Sequence, residues 1–206
     1  KPQLALLLPL CLAAGREGKA LAAMAAAAAA LALAAAGCFG LDSWGAFLAA
    51  FRTGTAGYDG NALQWARIPT VLVAVRPIAG PALAWLLQGL AALGASLAVG
   101  RVWARSADPG RRALALAAGM PLATPYLSDC DLVVLTVPLL LLAAGPRDRP
   151  VSLARAAVLA IAWSAAPAIQ FLALGLGWQA GPLLWLGLLA HALAAPDRQR
   201  PRPLSA

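Results

Sequence analysis

Apolar residues fill this chain in long stretches, separated by short turns in which almost all of the charge is collected. Seven such stretches are legible, at 2–14, 20–39, 81–104, 113–127, 132–144, 151–174 and 182–195. A helix needs about 20 residues to cross a bilayer. The pattern therefore predicts an all-α, polytopic transmembrane bundle of about seven membrane segments. The first stretch is short for a crossing and reads as the end of a helix begun upstream. The second is rich in alanine, with six in a row at 25–30. Alanine has the highest helix propensity, and small residues let membrane helices approach closely.

Residues 40–80 break the pattern. Gly40, Gly45, Gly54, Gly57, Gly60, Pro69, Pro77 and Gly80 punctuate them, and Asp42, Arg52, Asp59, Arg67 and Arg76 are spread among them. The apolar segment 43–51 is short and carries Trp44 near its start, which suits a helix lying in the interface. A second short helix is expected at 61–76. The segment 40–80 is thus read as an external, partly helical region within one transmembrane domain, 1–195. Pro81 suits the first turn of the helix that follows. Asp108-Pro109-Gly110 reads as a turn. The polar, Pro-rich tail at 196–206 reads as a disordered cytoplasmic segment.

The 206 residues are 62% hydrophobic and only 12% charged, with a mean hydropathy of +0.77. Soluble domains are about half apolar and a quarter charged, so a soluble fold of this length could not hide so much apolar surface. The net charge of +8 does not point to nucleic acid, because the cations lie in small clusters between apolar runs. Twelve of the 16 basic residues, among them Arg16, Lys19, Arg101, Arg105, Arg111 and Arg112, fall in one alternate set of loops. The positive-inside rule makes those loops cytoplasmic. The tryptophans, Trp44, Trp65, Trp85, Trp103, Trp163, Trp178 and Trp185, mostly fall near segment ends, as in an interfacial aromatic belt. Cys11, Cys38 and Cys130 have neither disulfide nor zinc spacing; Cys11 and Cys38 read as small packing residues. Residues 1–15 share the basic start and apolar core of a signal peptide. The absence of an initial methionine and the spans that follow at once favour a piece of a longer chain.

Charge on the other side of the membrane is scarce and therefore informative. Asp129 and Asp131, beside Tyr126, lie where two apolar segments meet the outer surface. Either acid could cap the following helix; the alternative is a contact to a polar head group, a metal or a sugar. Lys1, Arg67 and Arg76 form a basic set suited to a lipid-linked phosphate, since arginine offers phosphate two parallel hydrogen bonds; interfacial anchoring is the alternative. His191 has neither a second histidine nor an acid nearby and reads as a packing residue. The spacing Gly177 to Gly181 lies at a helix break and carries little weight. No phosphate-cradling loop, metal-ligand cluster or Ser/His/Asp set is visible, and no cofactor is expected.

The order of several short motifs resembles the bacterial DUF2029 family, glycosyltransferase family 87. They are Lys1-Pro2-Gln3 before the first apolar run, Phe39-Gly40 with Trp44 and Phe47-Leu48, Arg67-Ile68-Pro69-Thr70 with Arg76, Ala84-Trp85 with Gln88, and Ala123-Thr124-Pro125-Tyr126-Leu127 with Asp129-Cys130-Asp131-Leu132. Cys130 stands where family members commonly carry tyrosine. The resemblance implies a partial GT-C type of fold in a bacterial inner membrane. It also implies transfer of a sugar, often mannose, from a polyprenyl-phosphate donor to an extracytoplasmic lipid or glycan acceptor. The general base is then expected in an external loop upstream of Lys1, leaving this stretch without a catalytic residue and inactive by itself. Lys1 and Arg76 would meet the donor phosphate, and Tyr126, Asp129 and Asp131 would line the sugar or acceptor pocket. Two other classes fit the apolar pattern: a transporter or flippase of a lipid-linked substrate, and a non-catalytic membrane subunit.

Overall fold

The structure, a computed structural model, describes residues 5–56, 65–143 and 153–194. Lys1 and the tail at 196–206 lie outside the described residues. Every regular element there is helical: α1 (Leu8–Ala14), α2 (Gly18–Phe39), α3 (Asp42–Ala56), α4 (Val71–Arg105), α5 (Pro109–Ala123), a 3-10 helix (Asp129–Leu135), α6 (Thr136–Ala143), α7 (Leu153–Leu176) and α8 (Gly181–Ala194).

The boundaries follow local chemistry. Pro9 sits in the first turn of α1, where its missing N–H removes no helical bond. The expected turn Asp108-Pro109-Gly110 is instead a helix start. The Asp108 carboxylate accepts from the N–H groups of Gly110 (2.8 Å) and Arg111 (3.3 Å), and Pro109 occupies the first turn of α5. At its other end α5 stops at Ala123, because Pro125 disfavours helical backbone at Thr124.

The helix expected at 61–76 is interrupted. Residues 67–70 are non-helical, since Pro69 offers no N–H and biases Ile68 to extended backbone. Helix α4 then begins at Val71. It is bent back on itself at Gly80, whose φ of 73° and ψ of 170° are open to a residue without a Cβ. The Gln88 side chain accepts a 2.9 Å hydrogen bond from the N–H of Leu72. In a straight helix 16 residues span about 24 Å, so the arms 71–79 and 81–105 must lie side by side. Pro81 opens the second arm, as its sequence context predicts.

The core is formed where α1, the second arm of α4, α5 and α8 meet, and many of its residues are small: Ala95, Ala115, Ala117, Ala118 and Ala192 are buried. The outside is apolar. Leu83, Leu86, Leu90, Leu93 and Leu97 form an exposed stripe along α4. Exposed apolar area of this extent fits a helical membrane protein. Among the described residues, α2 and α4 are long and apolar enough to cross a membrane. Helices α5 and α8, of 15 and 14 residues, rise only about 23 and 21 Å.

Two packing expectations are corrected. Helix α2 has no buried residue and Cys38 is exposed, so the alanine run makes no close approach within the described bundle; Cys11 is fully buried, as expected. The tryptophans are not uniformly a belt. Trp44, Trp85 and Trp163 are exposed, but Trp185 is fully buried and donates from its indole to the carbonyl of Pro69 at 2.7 Å. Trp103 donates to the carbonyl of Arg112 at 3.2 Å.

Arg111 and Arg112 likewise do more than set topology. Arg111 donates to the carbonyls of Ala192 (2.6 Å) and Leu193 (2.8 Å), closing the end of α8. Arg112 donates to the carbonyls of Ser106 (2.6 Å) and Trp103 (2.9 Å), pairs with Glu17, and lies 5.0 Å over the Trp103 ring.

Gly181 marks the tightest contact on the interrupted segment. A Cβ there would lie 2.5 Å from Pro69 Cβ and 3.0 Å from its Cα and carbonyl oxygen. Because the obstacle includes backbone, Gly181→Ala should destabilise the protein by about 1–3 kcal/mol. Gly187→Ala on the same helix meets nothing within 4 Å and should leave the thermal midpoint unchanged or raised. Thermal unfolding of both variants in the same detergent or nanodisc checks this; an equal response would show that Gly181 is not a contact point.

Candidate functional site

The interrupted segment is held by its carbonyls. Trp65 O accepts from Ile68 N (3.1 Å), Arg67 O from Asp129 N (2.8 Å), Ile68 O from Thr70 N (2.9 Å) and Thr70 O from Ala74 N (3.1 Å). Ala66 O accepts from the Gln179 amide at 2.8 Å, and Pro69 O from Trp185. The Thr70 hydroxyl donates to Pro125 O at 3.1 Å. Gln88 completes the frame: its amide donates to Leu122 O at 2.8 Å while its oxygen takes the N–H of Leu72.

Beside this frame lies a cavity of about 660 Å³. The first arm of α4 supplies Val73, Arg76 and Pro77; Pro81 follows the bend; Ala173 and Leu174 come from α7; Gly177, Trp178 and Gln179 come from the turn before α8; Trp65 and Ala66 close it. Gly177 has a φ of 63° in that turn. Arg76 is the one charged side chain among these lining residues, and its guanidinium carbon lies 4.9 Å over the Trp65 ring. The Trp178 indole donates to Ala74 O at 3.0 Å, which fixes its ring against the first arm. The cavity is thus lined by one cation, two indoles, one amide and an apolar wall. That set suits a molecule with an anionic head and an apolar body.

The other predicted residues lie elsewhere. Arg67 grips Asp129 with its Nε (3.0 and 3.2 Å) and a terminal nitrogen (3.0 Å). Burial works to raise the Asp129 pKa, but hydrogen bonds from Arg67, Ser128 and the Cys130 N–H, with the charge of Arg67, outweigh it and hold the carboxyl below its usual range. The same pairing raises Arg67. Asp131 is buried and accepts from Ser128 N at 2.9 Å, while Ser128 caps the 3-10 helix in return. Ser128, not an acid, thus stands at the N-cap, and Asp131 takes the reciprocal place in a capping box. Tyr126 packs edge-on against Trp85 at 6.1 Å. None of Arg67, Tyr126, Asp129 and Asp131 is among the residues that line the cavity. Sequence reading did not single out Trp65, Trp178 or Gln179 for this site. The available signal was polarity: an amide such as Gln88 or Gln179 beside long apolar runs needs buried partners.

Because the Asp129 pKa is lowered in the folded chain, the Arg67–Asp129 tie contributes stability that is fully present above the ordinary carboxylate range, about pH 4. It is lost as the pH falls through the lowered folded value. Thermal midpoints between pH 7 and 3 should show this acid limb in the parent and a weaker one in Asp129→Asn. Identical profiles would mean that the tie does not stabilise the fold.

Comparison with curated proteins and with solved structures gives no significant match. A family model, glycosyltransferase family 87, matches residues 1–125. The matched region includes the interrupted segment, Arg76 and both arms of α4, and it ends one residue before Tyr126. With more than half of its length matched, the chain belongs to glycosyltransferase family 87.

Proposed function

We propose that this chain is the C-terminal part of an integral-membrane glycosyltransferase with about seven membrane segments. It works in a bacterial inner membrane and moves a sugar, mannose by preference, from a polyprenyl-phosphate donor to an extracytoplasmic lipid or glycan acceptor. Family membership supports glycosyl transfer between a donor and an acceptor. The observation that favours a lipid phosphate is the placement of Arg76, the one charged side chain at the wall of a cavity lined mainly by aromatic and apolar residues. The cation would hold the phosphate, which leaves with the lipid, and the apolar wall would take the first isoprene units. The two indoles flank the space in which the sugar would lie. Acceptor deprotonation falls to an acidic base upstream of Lys1. Arg67 and Asp129 pair with each other, and on this reading they contribute by fixing the segment that carries Trp65. A transporter of the same lipid or a non-catalytic subunit would also present an apolar surface, but neither draws support from the family match.

The test is sugar transfer by the intact protein in nanodiscs with a polyprenyl-phosphate-linked mannose. Arg76→Ala removes a charged hydrogen-bond donor, a loss of about 1.5–3 kcal/mol, and should raise the KM for donor roughly tenfold to a hundredfold. Asp131→Asn should lower the thermal midpoint more than it changes the KM. Unchanged transfer by Arg76→Ala would remove that residue from the site. Lipid movement without sugar transfer would favour the transporter.

A further inference from the structure

The cationic end of the bundle carries a second feature that glycosyl transfer does not use. Helix α1 closes with a Schellman arrangement: Arg16 N donates to Ala13 O at 3.1 Å and Glu17 N to Leu12 O at 2.8 Å. The residue between cap and exit adopts left-handed backbone, and glycine is usual there. This chain has Arg16, with a φ of 57°, and among the described residues no other non-glycine has a positive φ. Glycine would remove the strain, so the side chain of Arg16 is held there against local backbone preference.

Its surroundings are basic. Arg112, bonded to Glu17, Trp103 O and Ser106 O, ties the 15–19 turn to the end of α4. That end carries Arg101 and Arg105. Arg16, Lys19, Arg101 and Arg105 are all exposed. Residues 16–19 and 101–112 together hold six cations, counting Arg111 and Arg112, against two acids. Glu17 is taken up by Arg112, and Asp108 is buried as the cap of α5. Arg101 and Arg105 also continue the exposed stripe of Leu90, Leu93 and Leu97 on one face of α4, spaced four residues apart from Leu97 onward. An apolar track that ends in two arginines, about 6 and 12 Å further along the helix, follows the outline of a phospholipid: acyl chains first, then an anionic head.

We propose that Arg16, Lys19, Arg101 and Arg105 form a binding site for the head group of an anionic phospholipid, whose acyl chains lie along the leucine stripe of α4. The occupant is a lipid rather than an acidic protein, because the apolar track runs directly into the cations. Lipid head groups attract such clusters by an amount per cation equal to about a fivefold change in affinity.

The experiment titrates phosphatidylglycerol or phosphatidylcholine into the intact protein in neutral detergent, and follows thermal midpoint and bound lipid by native mass spectrometry. Phosphatidylglycerol should raise the midpoint more than phosphatidylcholine does, and 0.5 M salt should reduce the difference. Arg16→Gly relieves the backbone and should raise the midpoint without lipid, yet weaken phosphatidylglycerol binding about fivefold. Arg101→Gln with Arg105→Gln should weaken it about 25-fold. Equal responses to the two lipids, or undiminished phosphatidylglycerol binding in both variants, would overturn the proposal.

Discussion

A stretch of non-helical backbone inside an apolar bundle is tolerable only if its polar groups find partners in the protein, and the rest of this fold is arranged around that requirement. From Trp65 to Thr70, six successive carbonyl oxygens each accept a hydrogen bond. Three of the donors are distant in sequence: the N–H of Asp129, the amide of Gln179 and the indole of Trp185. The start of the 3-10 helix, the turn before α8 and α8 itself are therefore positioned by one short segment. Gly181 must lack a Cβ for the last of these to come close enough. An unpaired carbonyl in such a place costs roughly 1–3 kcal/mol, so the partners are coupled to the segment more strongly than apolar packing alone would require.

The same constraint shapes the cavity. Holding residues 66–74 from several sides fixes the first arm of α4, and with it Arg76, against Trp65 and Trp178. The Gly80 bend then sends the second arm away through the core. Large leucines are left on the outside, while alanines at the crossings let α4, α5 and α8 approach. On the membrane reading this inversion of soluble design needs no further cause, since lipid is as apolar as a leucine side chain.

Much of this was legible in the residues. Apolar run length and Gly/Pro punctuation located the helices: α2, α7 and α8 begin and end within about two residues of the predicted stretches, and Pro81 opens its arm. What was not legible depended on contacts between residues far apart. Nothing local in Arg67 and Asp129 tells that they pair across 62 positions. Trp185 and Trp44 look alike as tryptophans near segment ends, yet one is a buried donor and the other is exposed. Arg111 and Arg112 satisfied a topological rule so well that their hydrogen bonds to carbonyls at the ends of α4 and α8 went unexpected.

The 116 positions between Pro69 and Trp185 also set an order in time. A chain lengthening at about 5–20 residues per second needs roughly 6 to 23 s to make the second partner after the first. Over that interval the carbonyl of Pro69 lacks its indole donor, and Ala66 waits nearly as long for Gln179. The second arm of α4 has the length to settle in the bilayer as soon as it is made. The cavity, by contrast, is completed only when the end of α7 and the turn before α8 arrive, so it is a late product of biosynthesis although most of its lining is translated early.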